Sequence, residues 1–215
     1  MSKAKENYNK EYFDWYKKIG IFGGKINKIN FERYINKEDS VLDFGCGGGY
    51  LINELKCKEK HGVEINPYAV KEAENLSIKI FKDVNELSEN YYNKIISNNC
   101  LQHCENPFIE LQNLHKTLKK DGLIILVVSC SSKNLKYKPN DINYQLYSWS
   151  PMNFGNILDT AGFSLVKVKK INSRWIPKYE FFYKLFGEKI FRLACFFYSL
   201  IDSSITSVIA VAKKK

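Results

Sequence analysis

Residues 41–51, VLDFGCGGGYL, place an apolar run, one acid and four glycines in eleven positions. A buried strand running into a glycine-rich turn and then a helix lets a ligand approach the backbone closely, and the helix start offers free N–H groups. A second apolar segment, HGVEI (61–65), carries Glu64, which lies 21 positions after Asp43. An acid at the end of the second strand is where a ribose diol is held by two hydrogen bonds. Together these residues point to an adenosine-containing cofactor at the carboxyl ends of the first two strands.

The spacing narrows the cofactor. The turn is GxGxG (Gly45, Gly47, Gly49), and Asp43 stands two residues before its first glycine. A dinucleotide would bring a pyrophosphate dianion against that carboxylate, which is electrostatically awkward. S-adenosylmethionine (SAM) brings an ammonium and a sulfonium, which Asp43 favours directly or through water. The bland alternative is an Asp43 that only caps backbone N–H groups of the turn.

Strands and helices alternate around this turn. Apolar or alternating runs mark strands at 41–44, 61–65, 78–81, 94–97, 123–129, 163–171 and 205–212. Helices are expected from 49 to 56, from Pro67 to about 76, from Asn106 to Lys120, and from Pro151, behind a Ser150 cap, to before Gly162. Residues 6–36 are aromatic-rich, with Phe22-Gly23-Gly24 read as a break before a helix over 25–36. Such a pattern predicts a mainly parallel α/β sheet covered on both faces. No linker interrupts it, so 1–215 is read as one domain, with 1–36 as an N-terminal helical lid. Residues 172–203 form an amphipathic helical insertion before the last strand.

Composition limits the partners. The 33 basic and 23 acidic residues leave a charge of +10, but Arg33, Arg174 and Arg192 are the only arginines. Arginine is the usual bidentate reader of phosphates and base edges, so this is read as a solvated lysine surface and argues against nucleic acid. The six cysteines form no CxxC pair, and Cys100, His103 and Cys104 lack a second ligand pair at zinc spacing, so no metal is expected. The start MSKAKENYNK has no apolar core of a leader, and the chain is read as cytoplasmic with reduced thiols. The stretch 181–201 is broken by Lys184, Glu188, Lys189 and Arg192. It is read as an amphipathic helix packed on the domain, with a membrane-surface contact or a homodimer as its alternative roles.

VLDFGCGGG resembles the first motif of the class I SAM-dependent methyltransferases, and the likeness continues in order over about residues 20–171. HGVEINPYAV resembles the second-strand motif and FKDV (81–84) the third. Residues 92–128 resemble the fourth strand, its helix and the fifth strand, and LYSWSPMNFGNILDTAGF (146–163) resembles the region of the sixth. FGG (22–24) and DIN…LYSWSPMNFGN (141–156) are similar to a bacterial subgroup associated with small-molecule and surface-glycan methylation.

The resemblance implies a Rossmann-like, doubly wound, mostly parallel seven-stranded sheet with an antiparallel last strand. It implies a SAM site built from Asp43, Gly45, Cys46, Gly47, Gly49, Glu64, Ile65, Asp83, Val84 and Asn98, and methyl transfer to an oxygen or nitrogen of a small molecule such as a sugar or glycan precursor. His103, after the fourth strand, is the candidate general base. Phe22, the aromatics near Tyr12, Tyr144, Tyr147, Trp149 and Arg174 are candidate acceptor residues. The chain departs from the pattern at Tyr92-Asn93, where Phe-Asp is common, and at Gln102, where Glu precedes His. The subgroup carries His at the positions of Asn99 and Gln145. The competing readings are an RNA methyltransferase, a nicotinamide-dependent oxidoreductase, and a non-catalytic SAM-binding protein.

Overall fold

The computed structural model describes residues 6–131 and 136–215, so residues 1–5 of the expected lid lie outside the described part. The chain runs α1 (Lys10–Asn27), β1 (Ser40–Phe44), α2 (Tyr50–Asn53), β2 (Glu59–Val63), α3 (Pro67–Asn75), β3 (Lys79–Phe81) and β4 (Tyr92–Asn98). It continues with α4 (Pro107–Thr117), β5 (Leu118–Ser131), α5 (Pro151–Thr160), β6 (Phe163–Asn172), α6 (Tyr179–Ile201) and β7 (Ile205–Lys214). The seven strands form one sheet in the order β3-β2-β1-β4-β5-β7-β6. The first five are parallel, and β7 pairs antiparallel with both β5 and β6.

Strand residues alternate between two faces, and both faces are covered. Leu42, Ile95, Ile124 and Leu126 pack with Leu111 and Leu114 of α4 and with Phe154 and Leu158 of α5. Their neighbours Val41, Ile96, Ile125 and Ile209 pack on the other face with Leu51 and Ile52 of α2 and Ala73 of α3. The strand order reverses between β1 and β4, which opens a crevice at their carboxyl ends where open α/β sheets bind ligands.

Three elements differ from the sequence reading. First, α1 runs unbroken through Gly23-Gly24, and 3-10 turns at Lys28–Asn30 and Glu32–Tyr34 replace the helix expected over 25–36. A Cβ on Gly24 would lie 2.6 Å from the backbone carbon of Tyr50, so this glycine serves close packing of α1 on α2 rather than a break. Second, α4 stops at Thr117. The Thr117 hydroxyl donates back to the Leu114 carbonyl, Leu118 joins β5 opposite Tyr92, and a bulge at 119–122 with Asp121 at φ 64° precedes the Lys94–Leu123 pair. Third, α2 is a single turn, shorter than the 49–56 expected.

Helix α6 occupies most of the insertion and is kinked at Gly187 (φ 74°). Phe22 of α1 holds it. Its ring sits 4.7 to 5.5 Å from the rings of Trp175, Tyr179, Tyr183 and Phe191. No helix among the described residues is long and apolar enough to cross a membrane.

The two adjacent helical glycines make opposite demands. Gly24→Ala is expected to lower the unfolding free energy by about 1–3 kcal/mol through overpacking. Gly23→Ala, whose new methyl would meet the Trp175 ring at 3.5 Å, is expected to be neutral or stabilising by up to about 1 kcal/mol. Urea unfolding of the two variants checks this.

Candidate active site

The site is built on the turn that follows β1. Gly45, Gly47 and Gly49 all have positive φ, at 72°, 54° and 76°. At Gly45 a Cβ would run into the Cys100 side chain, so that glycine is required by φ and by space together. Gly49 is the left-handed N-cap of α2 and backs onto Ala73 and Ile78, so it shapes the turn from behind and does not line the cavity.

Glu64, just past β2, ties the turn together. Its Oε2 accepts the Gly47 N–H at 2.8 Å, and its Oε1 accepts the N–H groups of Ile65 and Asn66 at 2.9 and 2.8 Å. Burial pushes its carboxyl above the usual range, and those three donors pull it back. A carboxylate has about four acceptor positions, and three are taken from within the chain.

Asp43 is 2% exposed, and none of the described hydrogen bonds ends on its carboxylate. Burial first, and the nearby Glu64 charge second, push it up to about 8. A buried acid of this kind either takes up a proton or keeps its charge beside a cation. An ammonium or sulfonium beside Asp43, with an adenosine ribose beside Glu64, fits this donor and acceptor set.

A cavity of about 590 Å³ opens from this turn. Of the expected cofactor residues, Gly45, Gly47, Glu64, Ile65, Asp83, Val84 and Asn98 line it. Asp43 and Cys46 line a small adjoining crevice together with Gly45, Asn98 and Tyr16. His103 lines the main cavity, as do Asn99 and Gln145. Its Nδ1 is buried without a hydrogen-bond partner. Burial lowers the histidine below its usual value of 6.5, while a bond to the Tyr144 backbone and the Asp141 charge act weakly the other way.

Helix α1 and the residues that lead into it supply the wall facing the turn. Tyr8, Tyr12 and Tyr16 line the cavity, with Tyr8 edge-on to Tyr12 at 5.0 Å and Tyr12 stacked on Tyr16 at 6.1 Å. Tyr8 is also edge-on to His103 at 6.2 Å, and its hydroxyl is buried without a partner. Burial raises all three phenols above their ordinary range. The wall is clasped at its start, where Asn66 Nδ2 donates to the Asn9 carbonyl and Asn7 Nδ2 donates to the Ile142 carbonyl. The sequence shows an aromatic-rich N-terminus but not that Tyr8 reaches His103, because the contact joins residues 95 positions apart (8 to 103).

The structure sets the remaining expected acceptor residues apart from the cavity lining. Trp149 is buried in the core between Tyr147 and Phe154. Phe22 anchors α6. Arg174 pairs with Asp202 at 3.0 Å and lies over the Tyr198 ring. Tyr144 is outside the cavity lining, and its backbone bonds to His103. Residue type alone makes Trp149, Phe22 and Arg174 candidates, and each has its side chain engaged by a packing or charge partner that the linear sequence hides. Trp175, Ser129, Thr206 and Ser207 do line the cavity.

Comparison with known proteins gives the family. Residues 9–168 match the family described as methyltransferase domain. The chain belongs to that family, the class I SAM-dependent methyltransferases, and SAM is its cofactor. A ubiquinone biosynthesis O-methyltransferase of Rickettsia bellii is 28% identical over 142 residues, covering 56% of this chain and 59% of that protein. The chain thus spans about three fifths of that relative's length and 48% of a yeast methyltransferase, from Schizosaccharomyces pombe, that it also matches.

Among solved structures, phosphoethanolamine N-methyltransferase 2 of Haemonchus contortus in complex with SAM has a TM-score of 0.60 at 15% identity, over 88% of this chain and 51% of that one. The 4+2 cyclase SpnF has a TM-score of 0.64 at 16% identity, over 89% and 81%. At such identities these two bear on the fold alone.

Asp43 and Glu64 generate the test of the site. Because the folded value of Asp43, about 8, exceeds the ordinary 3.8, its burial costs nothing below the lower value, and the cost grows as pH rises toward the upper one. Asp43→Asn is therefore expected to resist urea better than wild type at pH 8, with the gap closing toward pH 4, and to bind SAM at least about tenfold more weakly. Glu64→Ala is expected to weaken SAM binding by a similar factor. Unchanged SAM affinity in both would move the cofactor elsewhere.

Proposed function

We propose that this chain transfers the methyl group of SAM to an oxygen or nitrogen of a small-molecule acceptor, with His103 as the proton acceptor. One observation carries the reading. A single cavity of about 590 Å³ is lined both by the cofactor carboxylate Glu64 and by His103, whose Nδ1 is buried and unpartnered. A histidine held below 6.5 is neutral at neutral pH, as a general base must be.

SAM supplies an electrophilic methyl on a good leaving group. The chain's own task is then alignment and the exclusion of water. In this reading Asp43 faces the cationic part of the cofactor, Glu64 its ribose, and Asp83 and Val84 its adenine, with Asn98 beside the turn. Tyr8, Tyr12 and Tyr16 shut water out on the opposite side. The incoming hydroxyl or amine gives its proton to the free imidazole nitrogen. The likeness of residues 22–24 and 141–156 to a glycan-modifying subgroup supports a sugar or glycan precursor as the acceptor. The relative from Rickettsia bellii, named for ubiquinone biosynthesis, supports methylation at oxygen.

Calorimetric titration with SAM, S-adenosylhomocysteine and NADH in parallel tests the cofactor part. Micromolar binding of the first two without NADH is expected, and binding of NADH alone overturns it. His103→Ala is expected to leave SAM affinity unchanged and to slow turnover about 100-fold or more. Wild-type kcat/KM is expected to fall on acidification with a midpoint below 6.5, and normal turnover in the variant would remove His103 as the base.

A further inference from the structure

Helix α6 carries an apolar face that nothing among the described residues covers. Leu193, Phe197 and Leu200 are 56, 56 and 65% exposed, and Ile190, Phe196 and Ile201 are exposed beside them. At 100° per residue these six side chains fall on one arc of the helix. Exposed apolar patches of this kind mark interaction surfaces.

The helix cannot roll to hide that face. On its inner side Phe191 is buried against Phe22 and Tyr183. Arg192 Nη2 donates to the Ile26 carbonyl at 2.7 Å, and Asn172 Nδ2 donates to the Ser199 hydroxyl at 2.9 Å. Nor does it span a membrane, because Lys184, Glu188, Lys189 and Arg192 interrupt it and Gly187 kinks it.

Charge selects the occupant. Glu188 is neutralised by Arg192, and Asp202 by Arg174. Lys178, Lys184 and Lys189 are exposed and make no ion pair among the described residues, and Glu180 is the one acid of the helix in the same condition, so the uncompensated charge is positive. Two copies meeting through α6 would oppose these lysines on chains that each carry +10. An apolar arc with Lys189 at its start, and Lys178 and Lys184 ahead of the Gly187 kink, instead matches an anionic interface with an acyl interior.

We propose that α6 seats this protein on the surface of an anionic lipid bilayer, with its apolar arc in the headgroup region and its lysines on the lipid phosphates. The segments at both ends of the helix, Ser173 to Trp175 and Ile205 to Thr206, contribute to the cavity wall. Seating α6 therefore brings the edge of the cavity to the lipid surface, where an amphiphilic acceptor would be held. This surface is separate from the cofactor site, and SAM titration of the same preparations reports on that site independently.

The test is vesicle flotation of the full chain. Wild type is expected to float with phosphatidylcholine vesicles containing phosphatidylglycerol and to bind phosphatidylcholine alone about tenfold more weakly. The double variant Leu193→Glu/Phe197→Glu is expected to lose flotation with its thermal unfolding unchanged, since both side chains face solvent. Lys184→Glu/Lys189→Glu is expected to bind anionic vesicles about tenfold more weakly. Absence of flotation on anionic vesicles, or flotation unaffected by the leucine and phenylalanine changes, overturns the proposal. So does a dimer in sedimentation that Phe197→Glu converts to monomer, because a second copy would then own the face.

Discussion

The site depends on one carboxylate bonded to three backbone N–H groups. Glu64 reaches from the end of β2 to Gly47 in the turn after β1, and it also accepts the N–H groups of its own successors Ile65 and Asn66. Charge-assisted bonds of this kind are stronger than neutral ones, and here they join two strand ends and a turn with three left-handed glycines. Asn66, so placed, caps α3 through the Tyr68 N–H and clasps the start of α1 through the Asn9 carbonyl. The same residue that is expected to read a ribose also sets the position of the turn, the third helix and the aromatic wall.

The electrostatics of the interior are opposite to those of the surface. The chain is strongly basic, yet the cavity is lined by Glu64, Asp83, Glu105 and Glu110 against Lys82, with Asp43 buried beside it. A cationic cofactor therefore meets a local field of favourable sign in a protein whose outer field repels it. This is why the overall charge misleads about the ligand. Most lysines lie on the exterior, and several acids are gathered by the topology at the carboxyl ends of the strands. Ionised Asp43 is costly to bury, so the free protein loses stability as pH rises toward 8, and a cation beside the carboxylate would offset that cost.

What was legible in the sequence was local. The strand–turn–helix at 41–53, the acid after β2, the Ser150 cap, and the apolar periodicities of the seven strands all depend on residues close in the chain. Local rules failed where a long-range contact overrode them. Gly24 reads as a helix breaker until Tyr50 is seen against it. Lys119 and Lys120 read as helix until the Leu118–Tyr92 pair draws the chain into the sheet.

The family, the succession of strands and helices, and the glycine turn with its two acids are therefore written in consecutive residues, through spacing and backbone conformation. Only the tertiary structure decided which aromatic and basic side chains reach the cavity. It assigned Tyr8 to His103, Trp149 to the core, Phe22 to α6 and Arg174 to Asp202. Residue type states what a side chain can do, and its partners across the fold decide whether it is free to do it.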